Sequence, residues 1–172
     1  MPFEAYLEKV SAVVKSECER LNVNQPVIYI EPGRSIAAPA GITLYTVGAR
    51  KEIPNIRTYI SVDGGMADSP RYILYKSEYE AIVANKANEE RSERVTLAGK
   101  CCESGDLIGE NMLLQHAESG DIVAVCATGA YNYSMSSNYN RLQKPAVVFV
   151  NNGESRIAVK RETLDDIIRN DI

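Results

Sequence analysis

Tryptophan is missing from this chain, histidine occurs once and phenylalanine twice. A single histidine leaves any zinc site to be filled by carboxylates and thiols. The four cysteines (Cys18, Cys101, Cys102, Cys126) form no C-x-x-C pair, so neither a metal centre nor a disulfide framework is expected. Lysine and arginine number 19 against 23 acidic residues, with no basic run, which argues against nucleic acid as a partner. No apolar stretch approaches the roughly 20 residues that span a bilayer. The start "MPFEAYLEKV" lacks the basic opening and apolar core of a signal peptide. A cytoplasmic protein with no membrane partner is the expectation.

What is present is an ordinary globular balance, 45% hydrophobic and 24% charged, over 172 residues. That length suffices for one well-cored domain, or for one domain and an appendage. Ten tyrosines take the place of the scarce other rings. Tyrosine suits places where an apolar ring must end in a hydroxyl, so the composition leans toward a polar, ligand-lined pocket.

Phe3, Tyr6, Leu7, Val10, Val13, Val14 and Leu21 recur at helical spacing and predict an amphipathic helix over residues 3–21. After a break at Asn22–Pro26, "PVIYIEPGR" is a nearly continuous apolar run, which predicts a strand buried on both faces. Beyond Arg34 the texture changes to runs rich in Val, Ile, Thr and Tyr. These are "AGITLYTVGARKEI", "RTYISVDGG", "YEAIVANK", "ERVTLAGK", "DIVAVCATGAY" and "PAVVFVNNGESRIAVKRE". Asn-Gly in "VNNGESRI" predicts a hairpin turn, and Thr163 with Asp166 predicts a capped terminal helix. The fold expected is mainly β: an antiparallel barrel or sandwich with a leading helix and strand and a C-terminal helix. Residues 1–35 read by pattern either as the tail of an α/β domain or as part of one α+β domain.

Four segments could carry chemistry. "EPGR", Glu31–Arg34, ends the expected strand, where a Pro-Gly bend can present N–H groups to an anion and Arg34 adds charge. By itself it equally describes a surface turn. "DGGMADSPRYILY" puts Arg71 and Tyr75 four apart, one face of a helical turn, a guanidinium beside a phenol that suits a carboxylate. "GAYNYSMSSNYN" holds three Tyr, three Asn and three Ser and reads as an ordered binding loop. In "AGKCCESGD", no histidine adjoins the thiols. The carboxylate of Glu103 favours a protonated thiol that can give a proton over a standing thiolate. Two small packed hydrophobes are the alternative use of the pair.

Together and in this order, "EPGRSIAAPAG", "VDGGMADSPRYILY", "AGKCCESGD" and "GAYNYSMSSNYN" resemble the C-terminal half of the diaminopimelate decarboxylase family. These pyridoxal-phosphate enzymes make L-lysine from meso-diaminopimelate. The resemblance runs over about residues 26–165 and implies an alanine-racemase-like arrangement. Residues 1–35 would be the last helix and strand of a (β/α)8 cofactor barrel, and residues 36–172 the β-domain. The partners implied are meso-diaminopimelate and a second subunit, in a homodimer that shares its active sites.

Laid on this chain, the family's pattern makes Glu31, Pro32, Gly33 and Arg34 the phosphate-binding turn, with Arg34 also a ligand of a substrate carboxylate. It makes Arg71 and Tyr75 the substrate-binding pair. Cys102 is the proton donor reaching across the dimer, and Glu103 the reader of the distal amino group. Tyr131 touches both cofactor and substrate. The family's Schiff-base lysine, ring-stacking histidine and Gly-rich segment match nothing here, so this chain alone is expected to bind pyridoxal phosphate weakly and not to turn over. Two alternatives remain open: the matching half of another amino-acid or polyamine-precursor decarboxylase, and a non-catalytic binding module derived from the β-domain.

Overall fold

Helix α1 (Phe3–Leu21) forms where the spacing predicts it and stops at Asn22, whose φ of 53° is left-handed. The N–H of Val23 then donates to the Cys18 carbonyl at 3.0 Å, closing the last turn. The computed structural model describes residues 3–172, and it divides at Pro32/Gly33 into two units. In the first unit most of the apolar stripe of α1 is exposed, with Tyr6 and Val13 open. The buried strand expected at "PVIYIEPGR" does not form: residues 23–32 are irregular, and Val27 and Tyr29 are 77% and 88% exposed. An extended segment becomes a strand only when its N–H and C=O groups join a ladder, and none of the eight strands pairs with it.

The second unit begins with a short helix, α2 (Gly33–Ala37), and then builds a six-stranded sheet. Its strands are β1 (Ile42–Ile53), β2 (Arg57–Val62), β3 (Ala81–Val83), β4 (Glu93–Ala98), β5 (Leu107–Leu114) and β6 (Ile122–Cys126). The order is β3-β6-β1-β2-β4-β5. Neighbours are antiparallel except β2 and β4, which run parallel, a departure from the all-antiparallel sheet expected. Alternating residues point inward and make one core: Tyr45 and Val47, Ile60 and Val62, Val95 and Leu97, Ile108, Leu114, Val123 and Val125. Strand β5 has no clear signal in the residue pattern, because Gly109, Glu110 and Asn111 interrupt its apolar alternation. Asn111 is in fact left-handed (φ 54°), in a stretch where the β4–β5 register shifts.

The sheet nearly closes on itself. Gln115, just after β5, is buried, and its side-chain oxygen accepts the Val83 N–H of β3 at 3.0 Å. A side-chain amide thus takes the place of a strand at the seam. Around the opening, Lys86 and Asn85 donate to the Asp121 carboxylate at 2.8 and 2.7 Å. The Lys86 bond above all holds Asp121 down to about 2.

A separate ribbon, β7 (Val147–Asn151) with β8 (Glu154–Val159), turns on Asn152-Gly153, both at positive φ as the Asn-Gly signal predicts. Between β2 and β3 lies α3 (Arg71–Tyr75), and α4 (Asn132–Met135) follows β6. Helix α5 (Leu164–Ile168) carries the expected Thr163 cap, reciprocated by Asp166. Among the described residues no helix is long and apolar enough to cross a membrane. No group of three or more His, Cys, Asp or Glu among them is placed to hold a metal ion.

Two outcomes test the seam and the rim. Gln115→Met keeps the volume but orphans the buried Val83 N–H, so unfolding free energy from urea titration is expected to fall by about 1–3 kcal/mol. Gln115→Glu, which retains an acceptor, is expected to lose less. Asp121 has a folded value near 2 against 3.8 for the ordinary carboxyl. The unfolded chain therefore binds more protons in that window, so stability is full above about pH 4 and lost as pH falls toward 2. Urea midpoints at pH 5, 3 and 2 are expected to show this slope, flattened in Asp121→Asn.

Candidate active site

Helix α3 is fixed from below by Tyr72. Its buried hydroxyl donates to Glu110 of β5 at 2.5 Å, and Arg57 of β2 pairs with the same carboxylate at 2.6 Å. Burial, reinforced by Glu110, pushes the Tyr72 phenol up to about 12, while Tyr72 and Arg57 hold Glu110 low. The helix closes at Lys76, left-handed at φ 52°, whose N–H returns to the Arg71 and Tyr72 carbonyls.

With the helix held, Arg71 and Tyr75 share a face as their spacing requires. The Arg71 guanidinium carbon stands 5.2 Å from the Tyr75 ring centre and 4.5 Å from that of Tyr131, a cation between two π faces. One guanidinium nitrogen reaches Ser77 Oγ at 3.4 Å, and its Nε is buried without a partner among the described residues. Tyr131 reaches this position through a backbone at φ 72°, ψ −37°, unfavourable for a residue with a side chain. The next residue, buried Asn132, donates to buried Ser69 at 3.2 Å, pinning the segment beside α3.

Arg34 lies over the Tyr79 ring at 5.7 Å and has no hydrogen bond or ion pair among the described residues. The Tyr79 hydroxyl is buried and has no partner among the described residues. The segments carrying Arg34 and Tyr131 meet where Gly41 and Gly129 cross backbone to backbone. A Cβ on Gly41 would stand 2.4 Å from Gly129 Cα, so the small-residue runs "AAPAG" and "ATGA" are a contact requirement. Glu31 and Pro32 close the first unit, with Glu31 exposed, while Gly33 and Arg34 open the second.

Cys102 and Glu103 lie in a different cluster, organised by Asp106. Its buried carboxylate accepts the Met66 N–H at 2.5 Å and the Cys101 N–H at 2.6 Å, drawing the "GGMADS" and "KCCES" segments onto one group. Gly65 and Gly99 make room for it: a Cβ on either would fall within 2.5 Å of a carboxylate oxygen. Sequence reading passed over Asp106, whose only signal was its place at the end of a Gly-rich turn. Cys101 is half-buried, and burial together with Asp106 pushes its thiol up. Cys102 is exposed, its N–H donating to Asn140 Oδ1 at 2.6 Å. Glu103 accepts from the Tyr139 hydroxyl at 3.3 Å. Beside this loop Tyr45 donates to Asp68, whose carboxyl burial pushes up.

No hydrogen bond or ring contact joins Cys102 or Glu103 to Arg34, Arg71, Tyr75 or Tyr131 among the described residues. A cleft of about 210 Å³ near Lys100, Arg141 and Arg161 contains none of the expected site residues.

The profile of the pyridoxal-dependent decarboxylase C-terminal sheet domain matches residues 12–129. The chain belongs to the pyridoxal-dependent decarboxylases. Within that family it is 51% identical over 167 residues to a diaminopimelate decarboxylase of Bacillus subtilis, covering 97% of this chain and 38% of the relative. A Synechocystis diaminopimelate decarboxylase is also 51% identical, with 98% of this chain and 36% of the relative covered. The chain thus spans under two-fifths of these curated relatives.

Among pyridoxal-dependent decarboxylases of known structure, a diaminopimelate decarboxylase from M. jannaschii in complex with L-lysine superposes with a TM-score of 0.77. It is 33% identical, over 94% of this chain and 37% of the other. A lysine/ornithine decarboxylase from Vibrio vulnificus complexed with cadaverine matches less: TM-score 0.55, 25% identity, 64% of this chain and 30% of the other. The nearly closed sheet is this decarboxylase family's C-terminal domain.

Asp106→Asn keeps one acceptor oxygen and turns an N–H₂ toward two backbone donors. The expected cost is about 1–3 kcal/mol of stability by urea titration, with faster amide hydrogen exchange at Met66 and Cys101.

Proposed function

We propose that this chain is the substrate-reading and proton-delivering part of a diaminopimelate decarboxylase that converts meso-diaminopimelate to L-lysine and CO2. The observation that carries this reading is the Tyr75–Arg71–Tyr131 stack: a guanidinium fixed between two rings with a buried Nε–H left to give. Such a group grips a carboxylate, and leaving it unpaired penalises a ligand that lacks one. Residues 1–35 are then the end of the cofactor barrel and residues 36–172 the β-domain, in a homodimer whose active sites draw on both subunits.

The donors available suit pyridoxal phosphate. Among the described residues Arg34 has no anionic partner, and the Tyr79 hydroxyl and Arg71 Nε have no acceptor, so the set is short of negative charge. Gly33 and Arg34, following Glu31 and Pro32, would hold the phosphate, and Tyr131 would touch the ring. The lysine that carries the cofactor comes from elsewhere in the full-length enzyme. When bound, the cofactor supplies a ring that takes up the electron pair left as CO2 departs.

This chain's residues do the rest. Arg71, with Tyr75 beside it and Arg34 as a second cation, binds substrate carboxylate. Glu103 pairs with the distal ammonium. Cys102, on an exposed loop, gives its thiol proton to the carbon that lost CO2. A polyamine-precursor decarboxylase is the second reading. The weaker match to the lysine/ornithine enzyme, together with a carboxylate-gripping Arg71 and an ammonium-reading Glu103, favours an amino acid at both ends of the substrate.

In the full-length enzyme, Cys102→Ala is expected to lower kcat roughly 10²–10⁴-fold, the usual worth of a general acid. Cys101→Ala is expected to stay near the parent. Residues 1–172 alone are expected to release no CO2 from meso-diaminopimelate. Turnover by the isolated chain, or equal losses in the two cysteine variants, would sink the reading.

A further inference from the structure

Three consecutive residues of the "CCE" turn are each held by a different group. Asp106, from within the turn, takes the Cys101 N–H. The other two holders come from one remote place: Asn140 Oδ1 accepts the Cys102 N–H at 2.6 Å, and the neighbouring Tyr139 hydroxyl donates to the Glu103 carboxylate at 3.3 Å. Tyr139 and Asn140 belong to a single turn, Tyr139–Arg141, in which Asn140 (φ 54°) and Arg141 (φ 58°) are both left-handed. Two successive left-handed residues without glycine persist only where the surroundings fix them.

Here they do. Asn138 donates to the Leu142 carbonyl at 2.9 Å and to Glu162 at 2.5 Å, and Arg141 pairs with Asp171 at 2.6 Å. The same segment is anchored midway, where the Ser137 N–H reaches the Ala67 carbonyl at 2.7 Å. At its start it places Tyr131 on Arg71. One stretch, residues 131–140, therefore touches both clusters of the candidate site.

We propose that Tyr139 and Asn140 are positioning residues of the decarboxylation. Tyr139 aims the Glu103 carboxylate at the distal ammonium of the substrate, and Asn140 fixes the Cys102 backbone so that its thiol meets the carbon to be protonated. This rests on the roles given above to Cys102 and Glu103. Because the two act through different partners, they move different constants: Tyr139 substrate binding, Asn140 the proton-delivery step.

The test uses the full-length decarboxylase. Tyr139→Phe removes one oxygen from an exposed ring and is expected to raise KM for meso-diaminopimelate about 3–10-fold, with kcat within twofold. The inhibition constant of 2-aminopimelate, which keeps both carboxylates but lacks one ammonium, is expected to stay within twofold. Asn140→Gly tolerates the left-handed backbone while losing the acceptor, and is expected to lower kcat about tenfold or more with KM near the parent. Asn140→Asp, which keeps an acceptor, is expected to recover most of that loss.

An unchanged KM in Tyr139→Phe, or an equal weakening of 2-aminopimelate, overturns the role of Tyr139. An unchanged kcat in Asn140→Gly overturns that of Asn140. Cys102→Ala and Glu103→Gln, measured alongside, separate the two levels. If both are impaired while the positioning variants are not, this proposal alone falls. If neither is impaired, the underlying assignment falls with it.

Discussion

The buried Asp106 carboxylate is the constraint on which the candidate site depends. It accepts N–H groups from two segments 35 residues apart, and it does so inside a space that only glycine at positions 65 and 99 leaves open. A charged acceptor for backbone donors is stronger than a neutral one, and in a buried setting its loss leaves orphan donors on both sides. The segment leading to Arg71 and the segment carrying Cys102 are therefore not independently placed loops. They are two walls hung on one carboxylate.

Much of this was readable from residue order, and the parts that were not have physical reasons. Residues 3–21 announce their helix by spacing, and Thr163 with Asp166 announces its cap, because both signals are local. Arg71 and Tyr75 were placed together by the helical repeat alone. Strand β5 was missed because its bulge puts Gly109, Glu110 and Asn111 where an apolar alternation should continue. The strand at "PVIYIEPGR" was expected because a doubly apolar run implies cover on two sides; the run is there, but among the described residues no strand pairs with it. Asp106 and Gln115 were invisible for a shared reason: each acts on backbone groups far away in sequence, and a polar residue's distant partners leave no periodic trace.

The tyrosine excess also finds its explanation in structure. Tyr45 and Tyr72 are core rings whose hydroxyls need a carboxylate each, supplied by Asp68 and Glu110. Tyr75, Tyr79 and Tyr131 are stacking faces for Arg71 and Arg34. Phenylalanine could stack but could not donate to these carboxylates. One residue type does two jobs.

The parallel pairing of β2 with β4 has a further consequence. Parallel neighbours cannot be joined by a tight turn, because the chain must travel back the full length of the strand before it can run the same way again. That return path is residues 63–92, and it contains α3 with Arg71 and Tyr75, as well as Tyr79 and strand β3. The length of the segment that carries Arg71 and Tyr75 is thus a condition of sheet geometry before it is a matter of chemistry. Part of that path is itself bound to the sheet, through β3 and through Tyr72 on Glu110, and shortening it would pull two strands out of register.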